Sequence, residues 1–313
     1  MSDLSDYSRK AIVKGSKSFS ASARLLNSRS RDSAHLLYAW CRYCDDQIDS
    51  QHSGFRAERE GLAGIDALAF LRAETRRALS GEPVEDHAFV ALQQVVERHA
   101  IPHRFPMELL DGFAMDVEQY YYGHLDDTLL YCYHVAGVVG VMMAIVMGVQ
   151  GGDALLRAAD LGIAFQLTNI SRDVMDDASI GRVYLPADWL ETAGVPRYEI
   201  TLPQHRPAVF SVVKRLLAEA DRYYDSAIEG LPELGLRSAW GISTARYVYR
   251  HIGRLVLKRG ASAWDKRAVV SRGRKLVGAW CGLLMSLHAS TVGRARSPKP
   301  RGDLWTKLVQ EED

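Results

Sequence analysis

Two clusters of carboxylates stand in otherwise apolar stretches of the chain: Y-A-W-C-R-Y-C-D-D-Q-I-D at 38–49 and A-F-Q-L-T-N-I-S-R-D-V-M-D-D at 164–177. Wound as helices at about 100° per residue, Tyr38, Arg42, Asp45 and Asp49 share a stripe roughly 60° wide. Gln166, Asn169, Asp173 and Asp177 share one of about 80°. Asp46, Asp176 and Arg172 fall off the centres of these stripes. A cluster such as D-D-Q-I-D alone reads more readily as a solvated helix face than as a functional site; the pair is what carries information.

Like charges one turn apart only repel unless a cation joins them. At an effective dielectric near 20, a unit pair at ~4 Å repels by about 4 kcal/mol. Oxygen donors on two helices, with no histidine or thiolate among them, suit hard Mg²⁺, which keeps waters and binds through a few carboxylates plus substrate phosphates. The chemistry indicated is therefore a diphosphate held through Mg²⁺ between two acidic helices.

Other metal chemistries fit poorly. A di-iron bundle wants E-x-x-H pairs, and the sequence has none. Cys41 and Cys44 form a C-x-x-C, but Cys132 and Cys281 stand alone, so a paired zinc site cannot be assembled; the two read as buried space-fillers. No G-x-x-x-x-G-K-[ST] loop is present, which argues against nucleotide phosphates.

The elements that must position these residues are helical. Apolar residues recur at three- and four-residue spacing around 34–48, 66–79, 87–99, 105–122, 128–149, 154–177, 208–229, 236–257 and 271–288, with turn signals between them. No alternating strand pattern and no internal repeat is evident. The expected fold class is all-α, one domain over 1–290, followed by a basic, loosely held tail over 291–313. S-K-S-F-S at 16–20 and the segment 180–207 read as functional or connecting loops.

Composition fits an ordinary globular protein with a large core. The 313 residues include 39 Lys and Arg against 38 Asp and Glu, so no basic footprint suggests nucleic acid. Four cysteines in so long a chain suit a reducing cytoplasm. The opening M-S-D-L-S-D-Y-S-R-K has no apolar run after its charges, so no secretory signal is expected. From Thr128 to Gly152 no residue is charged, a length that could span a bilayer. His134, Gln150 and the lack of flanking Lys or Arg favour a buried core helix, and this is read as the only such run. Its Val135, Val138, Val139 and Met142 cluster on one side, which by itself suits core packing as well as a cavity wall; the inferred diphosphate site favours the cavity. Ala136, Gly140, Ala144 and Gly148 form an opposite ridge of small residues suited to close helix approach.

The chain resembles the squalene/phytoene synthase family, in wording closest to its bacterial, twenty-carbon-coupling members. The matching blocks are S-K-S-F-S at 16–20, Y-A-W-C-R-x-x-D-D-x-I-D at 38–49 and Y-C-Y-H-V-A-G-V-V-G at 131–140. L-G-x-A-F-Q-L-T-N-I-x-R-D-x-x-x-D-x-x-x-G-R-x-Y-L-P at 161–186 is the most specific, and R-S-A-W-x-I at 237–242 and V-Y-R-x-I-G at 248–253 follow in order. The resemblance implies an isoprenoid synthase fold, a single helical bundle around a central cavity. It implies Mg²⁺ on Asp45, Asp49, Asn169, Asp173 and Asp177, with Mn²⁺ as a substitute. Diphosphate contacts carry over to Ser16, Ser18, Arg42, Gln166, Arg172, Tyr249 and Arg267. Phe19, Tyr38, Tyr131, Val135, Val139 and Tyr184 match positions lining the hydrocarbon cavity or near the reacting carbons.

The implied reaction is head-to-head condensation of two geranylgeranyl diphosphates through prephytoene diphosphate to phytoene, with release of diphosphate and no NADPH. The alternative is a squalene or dehydrosqualene synthase using farnesyl diphosphate. The cysteine usage and lack of a secretory signal imply a cytoplasmic enzyme, and a substrate and product so apolar imply loose peripheral attachment to the inner membrane. A helical lipid- or carotenoid-binding protein is the remaining reading, disfavoured because an apolar binder has no use for Arg42 and Arg172 beside the carboxylates.

Overall fold

The computed structural model describes residues 2–15, 23–52 and 64–307. Among these no strand occurs, and the elements are helices: α1 Ser2–Gly15, α2 Ser28–His52, α3 Gly64–Leu79, α4 His87–His99, α5 Arg104–Val117, α6 Leu125–Val146, α7 Asp153–Ser179, α8 Ala187–Thr192, α9 Arg206–Ala227, α10 Leu236–Arg259 and α11 Arg272–Ser290. Each periodic window of the sequence is one of these helices. Helix α1 was not among them: its S-D-L-S-D-Y-S-R-K half is too polar to show a stripe, and it is anchored by the buried Ile12. The segment 180–207 holds α8, two single 3₁₀ turns and the first two residues of α9.

Local chemistry sets the ends. Asp86 caps α4 by accepting from the Ala88 N–H at 2.8 Å, and Ser271 caps α11 through Arg274 N–H. After α7 the chain reverses at Gly181, whose φ of 82° favours glycine. The Arg182 N–H closes that turn on the Asp177 carbonyl at 2.9 Å. The turn directs Tyr184 back toward the body, where the Thr128 hydroxyl holds its carbonyl at 2.8 Å.

The core has two large parts. Helices α1 to α5 and the second half of α6 bury Trp40, Phe89, Leu92, Leu109 and Val138. Helices α7, α9, α10 and the first half of α6 bury Leu167, Leu216, Tyr223 and Tyr224. Between them α6 and α7 pack at close range. A Cβ on Gly140 would lie 2.4 Å from the Ala158 carbonyl oxygen, and one on Gly162 would lie 2.2 Å from that of Ala136. The small-residue ridge works as expected at Ala136 and Gly140. Gly148 is not part of it, lying beyond the end of α6 with a φ of 95°. The charge-free run is a core helix, with 61% of its most apolar window buried.

Two expectations are corrected. Helix α6 is not uniformly α: Tyr133–Gly137 is a π-turn. The extra residue breaks the phase of a 3.6-residue wheel. Val135 and Val139 face the cavity, but so do Ala136, Gly140, Met143 and Ala144, whereas Val138 and Met142 turn wholly into the core. Nor is the stretch after 290 loosely held over its described residues, 291–307. Arg301 donates to both carboxylate oxygens of Asp160 at 2.6 and 3.0 Å, and Arg157 donates to the Lys299 carbonyl. Lys307 meets Glu108 at 3.0 Å. These partners are far apart in sequence, so no local pattern announces them.

Candidate active site

A cavity of about 920 Å³ lies between the two halves of the core, large among ligand-binding cavities. Its lining joins the two acidic helices: Tyr38, Arg42 and Asp45 from α2, and Gln166, Asn169, Arg172, Asp173 and Asp177 from α7. Arg267 and Tyr249 line it as well. Away from these groups the wall is apolar, formed by Val135, Val139, Met143, Met147, Leu231 and Ile242 among others. Ser16, Ser18 and Phe19 lie outside the described residues. Asp49 falls within α2, but its side chain also lies outside what is described.

Two of the cavity's carboxylates, Asp45 and Asp173, are paired with arginines. The Arg42 guanidinium donates to Asp45 at 2.7 Å and reaches Asp46 at 2.5 Å. Asp46 does not line the cavity, in keeping with its position off the stripe. Asp173 is gripped by two cations, Arg172 in a two-pronged contact and Arg267 at 3.0 Å. Two arginines clustered on one carboxylate are a ready anion site once a cation takes up that carboxylate. Burial, reinforced by the neighbouring Asp173, pushes the Asp177 carboxyl from 3.8 up to about 7.

The donors suit a hard divalent cation. Asn169 Oδ1 is buried without a hydrogen-bond partner, while its amide donates to Gln166 at 3.3 Å. Asp173 and Asp177 are one and two helical turns further along the same stripe. An uncapped amide oxygen beside a carboxyl kept partly protonated is a set of ligands a cation would satisfy. Among the described residues no three His, Cys, Asp or Glu side chains converge into a metal cage. Magnesium needs none when a substrate's phosphates complete its shell.

Farther in stands an aromatic group that the two-cluster pattern does not disclose. Tyr131 and Tyr184 both donate to Asp116, at 3.0 and 2.8 Å, and Tyr122 abuts both rings edge-on. Burial first, and Asp116 second, raise both phenols well above the usual tyrosine range, so they stay neutral. Asp116 and Arg182 line the cavity and were both missed. Asp116 is one of three acids on α5, with Glu108 and Asp111, and nothing in its type or spacing singles it out from them. Arg182 sits inside the quoted G-R-x-Y-L-P, so that motif held the clue. On the opposite wall Tyr249 stacks on Phe165 at 4.3 Å. Tyr38 is pushed up to about 12 by burial. Cys41 and Cys44 are free thiols raised by burial, consistent with space-filling.

A helical bundle with acidic helices facing one apolar cavity defines an isoprenoid synthase fold. The squalene/phytoene synthase family profile matches residues 12–274, and the chain belongs to that family. It is 45% identical to a 15-cis-phytoene synthase of Pantoea ananas over 97% of this chain and 98% of that one. It is 46% identical to a phytoene synthase of Pseudescherichia vulneris, over 98% of each. Among solved structures a dehydrosqualene synthase superposes with a TM-score of 0.80 at 27% identity, covering 90% of this chain and 95% of that one. A squalene synthase from Alicyclobacillus acidocaldarius shares the fold, with a TM-score of 0.73 at 21% identity over 82% of this chain and 94% of that one.

Proposed function

We propose that this chain is a phytoene synthase of carotenoid biosynthesis, joining two geranylgeranyl diphosphates head to head through prephytoene diphosphate. The observation that carries the reading is the single cavity shared by Asp45, Asp173 and Asp177 at its polar end and by an apolar wall beyond. A polyprenyl diphosphate needs both, and the 45–46% identical relatives bear that name.

Asp45, Asp49, Asn169, Asp173 and Asp177 would hold Mg²⁺, which supplies Lewis-acid neutralisation of a diphosphate leaving group. Arg42, Arg172 and Arg267 bind the diphosphate oxygens, exchanging carboxylate partners for phosphate ones, with Gln166, Tyr249, Ser16 and Ser18 completing the contacts. Loss of diphosphate leaves an allylic cation, attacked at C1 by the second molecule's double bond, and loss of one proton closes a cyclopropane. A second ionisation, ring rearrangement and loss of another proton yield phytoene. Each departing diphosphate is balanced by one proton, so no hydride from NADPH enters. The faces of Tyr38, Phe19, Tyr131 and Tyr184 stabilise positive charge, and the dry wall keeps water from the cation. An apolar substrate and product favour peripheral attachment of the enzyme to the inner membrane, and the low cysteine content suits its cytoplasmic side.

The test is to incubate purified protein and Mg²⁺ with geranylgeranyl or farnesyl diphosphate separately and analyse the hydrocarbons. Phytoene from the first supports the reading. Dehydrosqualene from the second alone would transfer it to the fifteen-carbon reaction named for the structural neighbour, and no hydrocarbon from either would overturn it.

A further inference from the structure

Helix α11 is built inside out for a soluble protein. Its inner face is small: Gly278, Gly282, Ser286 and Ala289 are buried. A Cβ on Gly278 would lie 2.6 Å from the Tyr247 ring, and one on Gly282 would lie 2.6 Å from the Thr244 hydroxyl. The large apolar side chains point outward instead. Leu276 is 73% exposed, Trp280 63% and Leu284 53%, with Val277 and Leu287 beside them on the same face. From Leu276 to Gly293 no residue is charged. This is a second long uncharged run, where the sequence reading counted one. Only 22% of its most apolar window is buried.

Charge decides what covers this face. From Lys266 to Gly302 the chain has nine Lys and Arg and no Asp or Glu. Arg272 and Arg274 are exposed at the start of the helix and Arg296 beyond its end. Arg254 of α10 joins the first group, close enough that it and Arg274 both lower the His251 pKa, after burial. Two copies of the chain packed through this face, in either sense, would set basic ends against basic ends. A surface of anionic headgroups over an apolar interior complements both features, and a tryptophan amid leucines suits the boundary between them.

We propose that the outward face of α11 is a lipid-docking surface, with Leu276, Val277, Trp280, Leu284 and Leu287 entering the acyl boundary and Arg272, Arg274 and Arg296 resting on anionic phospholipid headgroups. A consequence, resting on the polyprenyl reading of the cavity, concerns the segment leading into α11. Val269, itself 69% exposed, and Lys275 both line the cavity. The cavity rim thus adjoins the docking face, giving apolar chains a path between bilayer and cavity that avoids bulk water.

The test uses the full chain with vesicles of phosphatidylcholine alone or mixed with phosphatidylglycerol, read by co-sedimentation. Wild type should pellet with the mixed vesicles and release as salt rises. Trp280→Gln/Leu284→Gln should lower the partition by about tenfold or more, and Arg272→Glu/Arg274→Glu should abolish the preference for phosphatidylglycerol. Both variants should keep wild-type circular dichroism and wild-type activity in detergent micelles, where no bilayer is needed. Equal partition of wild type and both variants, or no binding by wild type, overturns the docking surface. So does a wild-type dimer that Trp280→Gln/Leu284→Gln dissolves without any vesicle binding, which would assign the face to a second copy. Inactivity of wild type in micelles with normal vesicle binding would instead count against the enzymatic reading alone.

Discussion

Tyr131 and Tyr184 lie face to face, ring centroids 4.5 Å apart and planes 19° from parallel, and both hydroxyls donate to the single carboxylate of Asp116. One comes from α6 and the other from the loop after α7, so Asp116 on α5 sets the spacing of the two rings. Asp116→Asn keeps the shape but offers one acceptor and one donor, leaving one phenol without its partner. Turnover should fall by about 10²-fold, as expected when reacting groups are misplaced, with circular dichroism unchanged. A normal kcat in this variant would mean the carboxylate only fills space.

Asp173 faces both Arg172 and Arg267 and lies one turn from Asp177. Asp173→Asn retains volume while removing the charge, and Asp45→Ala removes the matching charge on α2. Each should cut phytoene formation at least about 10²-fold without unfolding the chain. The check is product formation under saturating Mg²⁺ alongside far-ultraviolet circular dichroism. Near-wild-type rates in either variant sink the role given to that aspartate.

The raised Asp177 carboxyl makes a pH prediction. Its folded value of about 7 lies above the ordinary 3.8, so between these the folded chain binds the extra proton. Its burial penalty therefore grows as pH rises across that interval and is complete above it. Through this group, protein without divalent cation should lose stability between about pH 4 and pH 7, by a few kcal/mol at most. Mg²⁺ should oppose that loss, with affinity improving as the proton leaves. Thermal unfolding across this range in EDTA and in Mg²⁺ measures both effects. A slope unchanged in Asp177→Asn would assign the pH dependence elsewhere.

Gly162 tests the α6–α7 contact. An added Cβ would collide with backbone at Ala136, which cannot swing aside as a side-chain tip could. Gly162→Ala should cost about 1–3 kcal/mol, typical of overpacking, and constrict the cavity. A thermal midpoint equal to wild type would show that the helices part freely.

Much of this was legible in the sequence because helices repeat. A carboxylate stripe at three- and four-residue spacing survives folding intact, so Asp45, Asn169, Asp173 and Asp177 could be placed on facing helices. What resisted reading depended on phase or on distant partners. The π-turn at Tyr133–Gly137 shifts the wheel of α6, so Val138 and Met142 could not be told from cavity-lining Val135 and Val139. Asp116 is not marked out from Glu108 and Asp111 on its own helix; its meaning lies in two tyrosines from other elements. In α11 both faces are apolar or small, and periodicity cannot say which one turns outward.

The C-terminal stretch is the sharpest case of a distant partner. Asp160 is fully buried in α7 and depends on Arg301 for its counter-charge. Arg157 binds Ser226 and the Lys299 carbonyl beside it. Arg301→Ala leaves a buried carboxylate without its cation, a loss of about 3–5 kcal/mol, which should lower the thermal midpoint by roughly 5 °C or more. Adding Asp160→Asn should recover part of the loss, because the stranded charge disappears with it. A tail that merely trails in solvent predicts no change in either variant, so differential scanning calorimetry of wild type, the single variant and the double variant decides between them. Because α7 also carries Asn169, Asp173 and Asp177, the single variant should weaken Mg²⁺-dependent turnover at temperatures where wild type is unaffected.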